Sequence, residues 1–137
     1  MIHLVKLSVG IRDVGHLRDI QAARLLRDPP LRHQTRSFPK RAGELTAGGS
    51  IYWVIAGAIV VRQRITDIIE DRWDDDTKCA GLVLDPTLVS VHARPPRPFQ
   101  GWRYLAPDAA PADVVAGEET GDLPQAMREQ LRALGLL

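Results

Sequence analysis

The chain is poor in the residues that announce a function. Among 137 residues there is one cysteine, Cys79, so no internal disulfide can form. Without a second cysteine there is no disulfide framework and no cysteine-based zinc signature. Cys79 falls in an apolar stretch, where a lone cysteine acts as a small core residue. Long hydrophobic runs are missing too. The most apolar segment, Ile51 to Val61, is bounded by Ser50 and Arg62. A membrane-spanning helix needs about 20 apolar residues, which excludes a spanning segment here. Met1 to Gly10 is too short and too mixed for the core of a signal peptide, and Arg12-Asp13 follows at once. A cytoplasmic protein is expected. No repeat, cofactor fingerprint or complete catalytic signature appears.

What is present is the make-up of a soluble globular chain. Hydrophobic residues are 45% and charged residues 26% of the total, ordinary proportions that place the chain outside the disordered and fibrous classes. One domain over residues 1–137 is expected, with a barrel core over 1–105, a loop over 106–121 and a C-terminal helix over 122–136. A chain this long buries roughly two thirds of its unfolded surface and holds a core without staples.

The organising stretch is Gly48 to Glu70, GGSIYWVIAGAIVVRQRITDIIE. Two runs rich in β-branched residues flank Ala56-Gly57, which predicts strands Ile51–Ile55 and Ala58–Thr66 joined by a tight turn. The first is apolar throughout and should be buried on both faces. In the second, alternation puts Gln63 and Ile65 on one side and Arg62, Arg64 and Thr66 on the other.

Elsewhere Ile2–Val9 reads as a strand. Asp13 is placed to cap a helix from Val14 to Leu26, with Val14, Leu17, Ile20 and Ala23 on its apolar stripe. Asp28-Pro29-Pro30 stops it. Leu31–Phe38 is a second strand candidate, with Arg32, Gln34 and Arg36 on one face, and Lys40–Leu45 a short helical turn opened by Pro39. The Asp71–Thr77 stretch reads as a solvated acidic loop; its Asp74-Asp75-Asp76 run lacks the further ligands a metal site needs. Strands Lys78–Leu84 and Leu88–His92 follow. Arg94–Leu105, RPPRPFQGWRYL, has too many prolines for a helix or a central strand. Beyond it come one helical turn at Ala112–Val115 and a last helix capped by Asp122, carrying Met127, Leu131 and Leu134.

Net charge is only +1, but its distribution is uneven. Leu31–Ile65 carries six Lys or Arg against one acid, Glu44; Pro86–Pro107 carries three arginines, one histidine and no acid. Such asymmetry can produce one basic face on a nearly neutral molecule. Arg94, Arg97 and Arg103 are interleaved with Phe99, Trp102 and Tyr104. Guanidinium groups hold phosphates and exposed rings stack on unpaired bases. The candidate nucleic-acid-binding residues are therefore Arg36, Lys40, Arg62, Arg64, Arg94, Arg97, Trp102, Arg103 and Tyr104. The alternative for the rings is structural, with Trp102 and Tyr104 plugging one end of a barrel.

The phrases FPKRAGELTAGGSIYWVIAG, RQRITDI, LVLDPTLV and RPFQGWRYL resemble an uncharacterised bacterial family of about this chain length, over roughly Met1 to Pro107. The order of elements is also similar to the PUA-like superfamily, which includes the ASCH and EVE domains. That second resemblance implies an α+β fold: a small mixed β-barrel or strongly bent sheet with an early flanking helix. It also implies a cleft for RNA or a modified base. Some ASCH proteins are small amidohydrolases using Lys, Thr and Glu; Lys40, Thr66 and Glu70 supply those residue types without the motif.

Three functions follow. The first is an RNA- or nucleotide-binding module with a basic-aromatic cleft. The second is a small hydrolase acting on a nucleoside, for which Lys40, Glu70 and His92 are the candidate ionisable groups. The third is an adaptor that docks a partner on its C-terminal helix. No cofactor or metal is expected, and no membrane partner.

Overall fold

The computed structural model describes residues 1–96 and 102–114. The expected C-terminal helix over 122–136, with Arg97 and Phe99, lies outside the described residues. The fold is α+β and mostly strands: among the described residues one seven-stranded mixed sheet curls into a half-barrel, accompanied by two helices.

In chain order the elements are β1 (His3–Leu7), α1 (Val14–Arg27), β2 (Arg32–Thr35), α2 (Ala42–Thr46), β3 (Ser50–Ile55), β4 (Ala58–Arg72), β5 (Lys78–Leu84), β6 (Val89–Arg94), β7 (Trp102–Leu105) and a 3-10 turn at Pro107–Ala109. The strand order is β2-β5-β4-β3-β1-β7, with β6 also paired to β4. Among the described strands, only β1 and β3 run parallel.

β4 is the spine. Its first half pairs with β3, from Ser50↔Arg64 to Ile55↔Ala58, and its second half with β5, from Ile65↔Leu84 to Arg72↔Lys78. The expected hairpin is present. Ala56 and Gly57 both have positive φ, 52° and 85°, as a two-residue primed turn requires. The register shifts near Trp53/Val54, Ile59/Val61 and Ile65/Asp67. Each irregularity bends the strand and adds twist, and together they curl the sheet. Its two ends meet through side chains: the Trp102 indole N–H on β7 donates to Thr35 Oγ1 on β2 at 3.0 Å.

β3 is buried along its whole length, as its composition predicts. Ile51, Trp53 and Ile55 point into the main core with Leu4, Leu45, Val61, Ile65 and Leu82. Tyr52 and Val54 point outward into a second cluster with Val5, Ile59, Val91 and Leu105. Residues 106–114 cover that outer cluster. They pair with β6 through His92 N–H to Ala112 O and Val114 N–H to Ser90 O, both 2.9 Å, and through the bridge Val91↔Asp113. The expected helical turn at Ala112–Val115 is therefore replaced, over Ala112–Val114, by extended chain that satisfies the free edge of β6.

Two further features differ from the pattern-based expectation, the end of β4 and the buried face of α1. β4 continues six residues past Thr66, because β5 supplies ladder partners as far as Arg72. The acidic run becomes its hairpin turn, where Asp75 Oδ1 accepts Thr77 N–H at 3.0 Å. Among the described residues no group of acids, His or Cys is placed to hold a metal. In α1, Asp13 caps as expected, accepting His16 N–H at 2.7 Å. The buried residues, however, are Leu17 and Gln21, and Ala23 is exposed. A stripe stepping by three drifts about 60° per step around a helix of 3.6 residues per turn. The core face follows i, i+4 instead, which places a glutamine inside.

Gly49 sits where α2, the N-terminal strand and β4 cross. Its N–H donates to Leu45 O and its carbonyl accepts Ile65 N–H. A Cβ there would lie 2.1 Å from Ile2 O and 2.5 Å from Leu45 O, both backbone atoms. Gly49→Ala is expected to cost roughly 3 kcal/mol or more, or to prevent folding, because backbone carbonyls must move. Gly43→Ala, in α2 with open space around it, should be neutral or stabilising. Chemical denaturation of both variants checks this; equal midpoints would show that the crossing is slack.

Candidate functional site

Eight of the nine basic and aromatic candidates are described residues, and they fall in separate places. Arg94, Arg103 and Tyr104 line one outer cleft of about 630 Å³, floored by Val5 and Ile59 and edged by Pro95 and Pro96. Arg62 and Arg64 are not part of its lining. Arg62 instead donates from Nε and Nη2 to the Asp113 carboxylate, each at 2.7 Å, and from Nη1 to Ser50 Oγ at 3.1 Å. This bidentate pair holds the covering segment against the sheet and pulls the Asp113 carboxyl below its usual range. Arg94 serves the same segment, donating to Ala109 O at 2.6 Å. Arg64 and Lys40 are exposed, and Arg36 lines a groove with Phe38, Glu70 and Cys79.

The two rings have structural partners. Trp102 meets Tyr104 edge to face at 5.2 Å and reaches Thr35. The Tyr104 hydroxyl accepts the Arg41 N–H at 3.1 Å, and the Arg41 guanidinium lies 5.4 Å from the ring centroid. Of the hydrolase candidates, Glu70 lines the Arg36 groove, whose lining includes neither Lys40 nor His92. Thr66 donates its hydroxyl to Val83 O.

A different cleft gathers charge. Where α1 leans over the mouth of the half-barrel, a cavity of about 350 Å³ is lined by Lys6, Ser8, Gln21, Arg24, His33 and Trp53, among others. Arg32 and His16 also border it, and the lining contains no carboxylate. Alternation along β1 explains Lys6: it shares the inward face with Leu4 and is in register with Trp53. Its ammonium donates to Leu7 O at 2.8 Å and keeps two N–H groups for other partners. Burial lowers the Lys6 pKa. Arg24 reaches in from the last turn of α1. Arg32 is held in place by Asp71 and by Asp28, the latter at 3.0 Å. The Ser8 hydroxyl is shielded from solvent and has no hydrogen-bond partner among the described residues.

Behind the cleft lies a buried amide network. Gln63 Oε1 accepts from Gln21 Nε2 at 2.7 Å and from Trp53 Nε1 at 2.8 Å; Gln63 Nε2 donates to Gln21 Oε1 at 2.8 Å and to Asp85 O at 3.1 Å. All four hydrogen-bonding positions of Gln63 are used, while Gln21 retains one N–H and one acceptor lone pair. The fixed Trp53 ring receives the His33 ring edge to face at 5.4 Å. Burial, then Lys6, then Arg24 push the His33 pKa down to about 4, so its imidazole is neutral at pH 7.

Lys6, Gln21, Arg24 and His33 were not among the candidates. The usable signals were slight: a lysine in the inward parity of an apolar strand, and a glutamine where a helix stripe needs an apolar residue. Convergence across β1, α1 and β2 leaves no trace in local sequence.

Two measurements follow. Gln63→Leu strands Trp53 Nε1 and the Gln21 amide, and should cost about 1–3 kcal/mol per stranded group in a denaturant titration; an unchanged midpoint would mean that water replaces the glutamine. His33 has a folded pKa of about 4 against an ordinary 6.5, so the unfolded chain binds the proton more readily. Its contribution to stability is complete above pH 6.5 and is lost as pH falls toward 4, on the order of 3 kcal/mol in all. His33→Phe should therefore flatten the decline of the melting temperature between pH 6.5 and 5; an identical slope in variant and wild type would place the titration elsewhere.

A family model described as protein of unknown function (DUF1489) matches residues 4–137. No curated protein and no solved structure matches the chain.

Proposed function

Starting from a chain that belongs to the DUF1489 family of proteins of unknown function, we propose that it is a cytoplasmic RNA- or nucleotide-binding protein of bacterial type whose site is the cleft beneath α1. The observation that carries this reading is the cleft's lining: Lys6 and Arg24 beside a neutral His33, with no carboxylate. A partly desolvated ammonium without a carboxylate gains most from an anion, and phosphate takes up its spare donors. The cavity, about 350 Å³, is larger than a bare phosphate needs and lies in the range of small-molecule sites. Apolar walls from Leu31 and Leu84 suit a base or sugar, and the spare amide groups of Gln21 offer one donor and one acceptor to its polar edge. The curled sheet is also the scaffold that the resemblance to PUA-like domains implies.

A second reading uses the same ligand class at the outer cleft, favoured by the grouping of Arg94, Arg103 and Tyr104 there. Calorimetric titration with a nucleoside monophosphate at low and high salt separates the two. Lys6→Met or Arg24→Ala should weaken binding roughly tenfold to a hundredfold, the worth of one charged hydrogen bond, and should reduce the salt dependence. Arg103→Ala should leave binding unchanged; the reverse pattern assigns the site to the outer cleft. Because an anion favours protonated His33, affinity should rise as pH falls from 7 toward 5. No binding to wild type at low salt would end the nucleotide reading.

A further inference from the structure

A second hollow, about 610 Å³, adjoins the cleft beneath α1 and shares Arg24, Leu31, Arg32 and His33 with it. Arg24 therefore serves both. Arg27, one turn along α1, borders only the second hollow, and neither arginine has an ion-pair partner among the described residues. Trp73, at the start of the β4–β5 turn, also lines this hollow and is 38% exposed. The turn bond from Trp73 N–H to Thr77 O, 2.9 Å, sets the backbone from which this ring projects. Of the two acids in this hollow, Asp28 is neutralised by Arg32 at 3.0 Å and Asp74 stands next to Trp73 in the turn.

We propose that the ligand is a single-stranded polynucleotide rather than a mononucleotide, with one nucleotide in the inner cleft and the next in the hollow between Arg27 and Trp73. This rests on the nucleotide reading of the inner cleft. The chemistry of the hollow is that of single-strand binding: cations spaced along one helix face for successive phosphates, and an exposed ring on which a base stacks whatever its identity. Arg24, facing both hollows, takes the phosphate that links the two nucleotides. The wall opposite is made rigid by Arg32, whose guanidinium is tied to Asp28, Asp71 and the Pro30 carbonyl.

The test compares adenosine monophosphate, a diadenylate and a tetraadenylate RNA by calorimetry at low salt. Affinity should rise roughly tenfold from the monophosphate to the diadenylate, the contribution of one stacked base. Trp73→Ala and Arg27→Ala should each abolish that rise and leave monophosphate binding and the melting temperature unchanged. Lys6→Met should weaken all three ligands together. Equal affinity for monophosphate and diadenylate in the wild type, or a rise that survives both Trp73→Ala and Arg27→Ala, would overturn the polynucleotide inference and leave the nucleotide reading standing. Failure of every ligand to bind would remove both.

Discussion

Gln63 is wholly enclosed, and an enclosed amide must find partners for two donors and two acceptor sites. It finds them in Gln21 on α1, Trp53 on β3 and the carbonyl of Asp85. One side chain thereby joins α1 to the centre of the sheet and to the chain leaving β5. The network also sets the site. With α1 docked through Gln21, Arg24 is held one turn further on, over the cleft. With Trp53 fixed, His33 has a wall to pack on and Lys6 a neighbour in register. Such a network specifies one arrangement because every alternative leaves a buried donor or acceptor without a partner.

Cationic residues divide between two tasks, and pairing tells them apart. Arg62 and Arg94 fasten residues 106–114 over the outer face, and Arg32 ties β2 to β4 through Asp71. Each of those guanidinium groups has a partner within the fold that fastens one segment to another. Lys6 and Arg24 meet no carboxylate in the cleft they line. Lys6 is half-buried, and a partly desolvated cation without a counter-charge is a cost in the free protein that an arriving anion relieves. The same reasoning explains His33: with two cations near and little water, its neutral form is the stable one at pH 7.

Much of the scaffold could be read in advance because its signals are local. The Ala56-Gly57 turn, the twofold burial of Ile51–Ile55, the Asp13 cap and the stop at Asp28-Pro29-Pro30 each depend on a few neighbouring residues. The misplacements arose where a distant partner decides. Extended β4 needed β5, Ala112–Val114 needed the edge of β6, and Gln21 needed Gln63 to be tolerable inside. The basic-aromatic segment was visible as composition, yet composition could not say that Trp102 bonds Thr35 across the closing ends of the sheet.

By itself, the sequence determined the residue types, the fold class, the central hairpin and the faces on which β4 presents Gln63 and Arg62. Turn chemistry, β-branched runs and alternation act over a few residues and need no knowledge of what lies opposite. Only the tertiary structure decided which charges are spent and which are available. Arg62 lies 51 residues from the Asp113 that neutralises it, while Lys6, Arg24 and His33 come together from three separate elements. Charge pairing and desolvation depend on distance in space, and the curl of the sheet, set by three register irregularities along β3 and β4, is what brings those distances about.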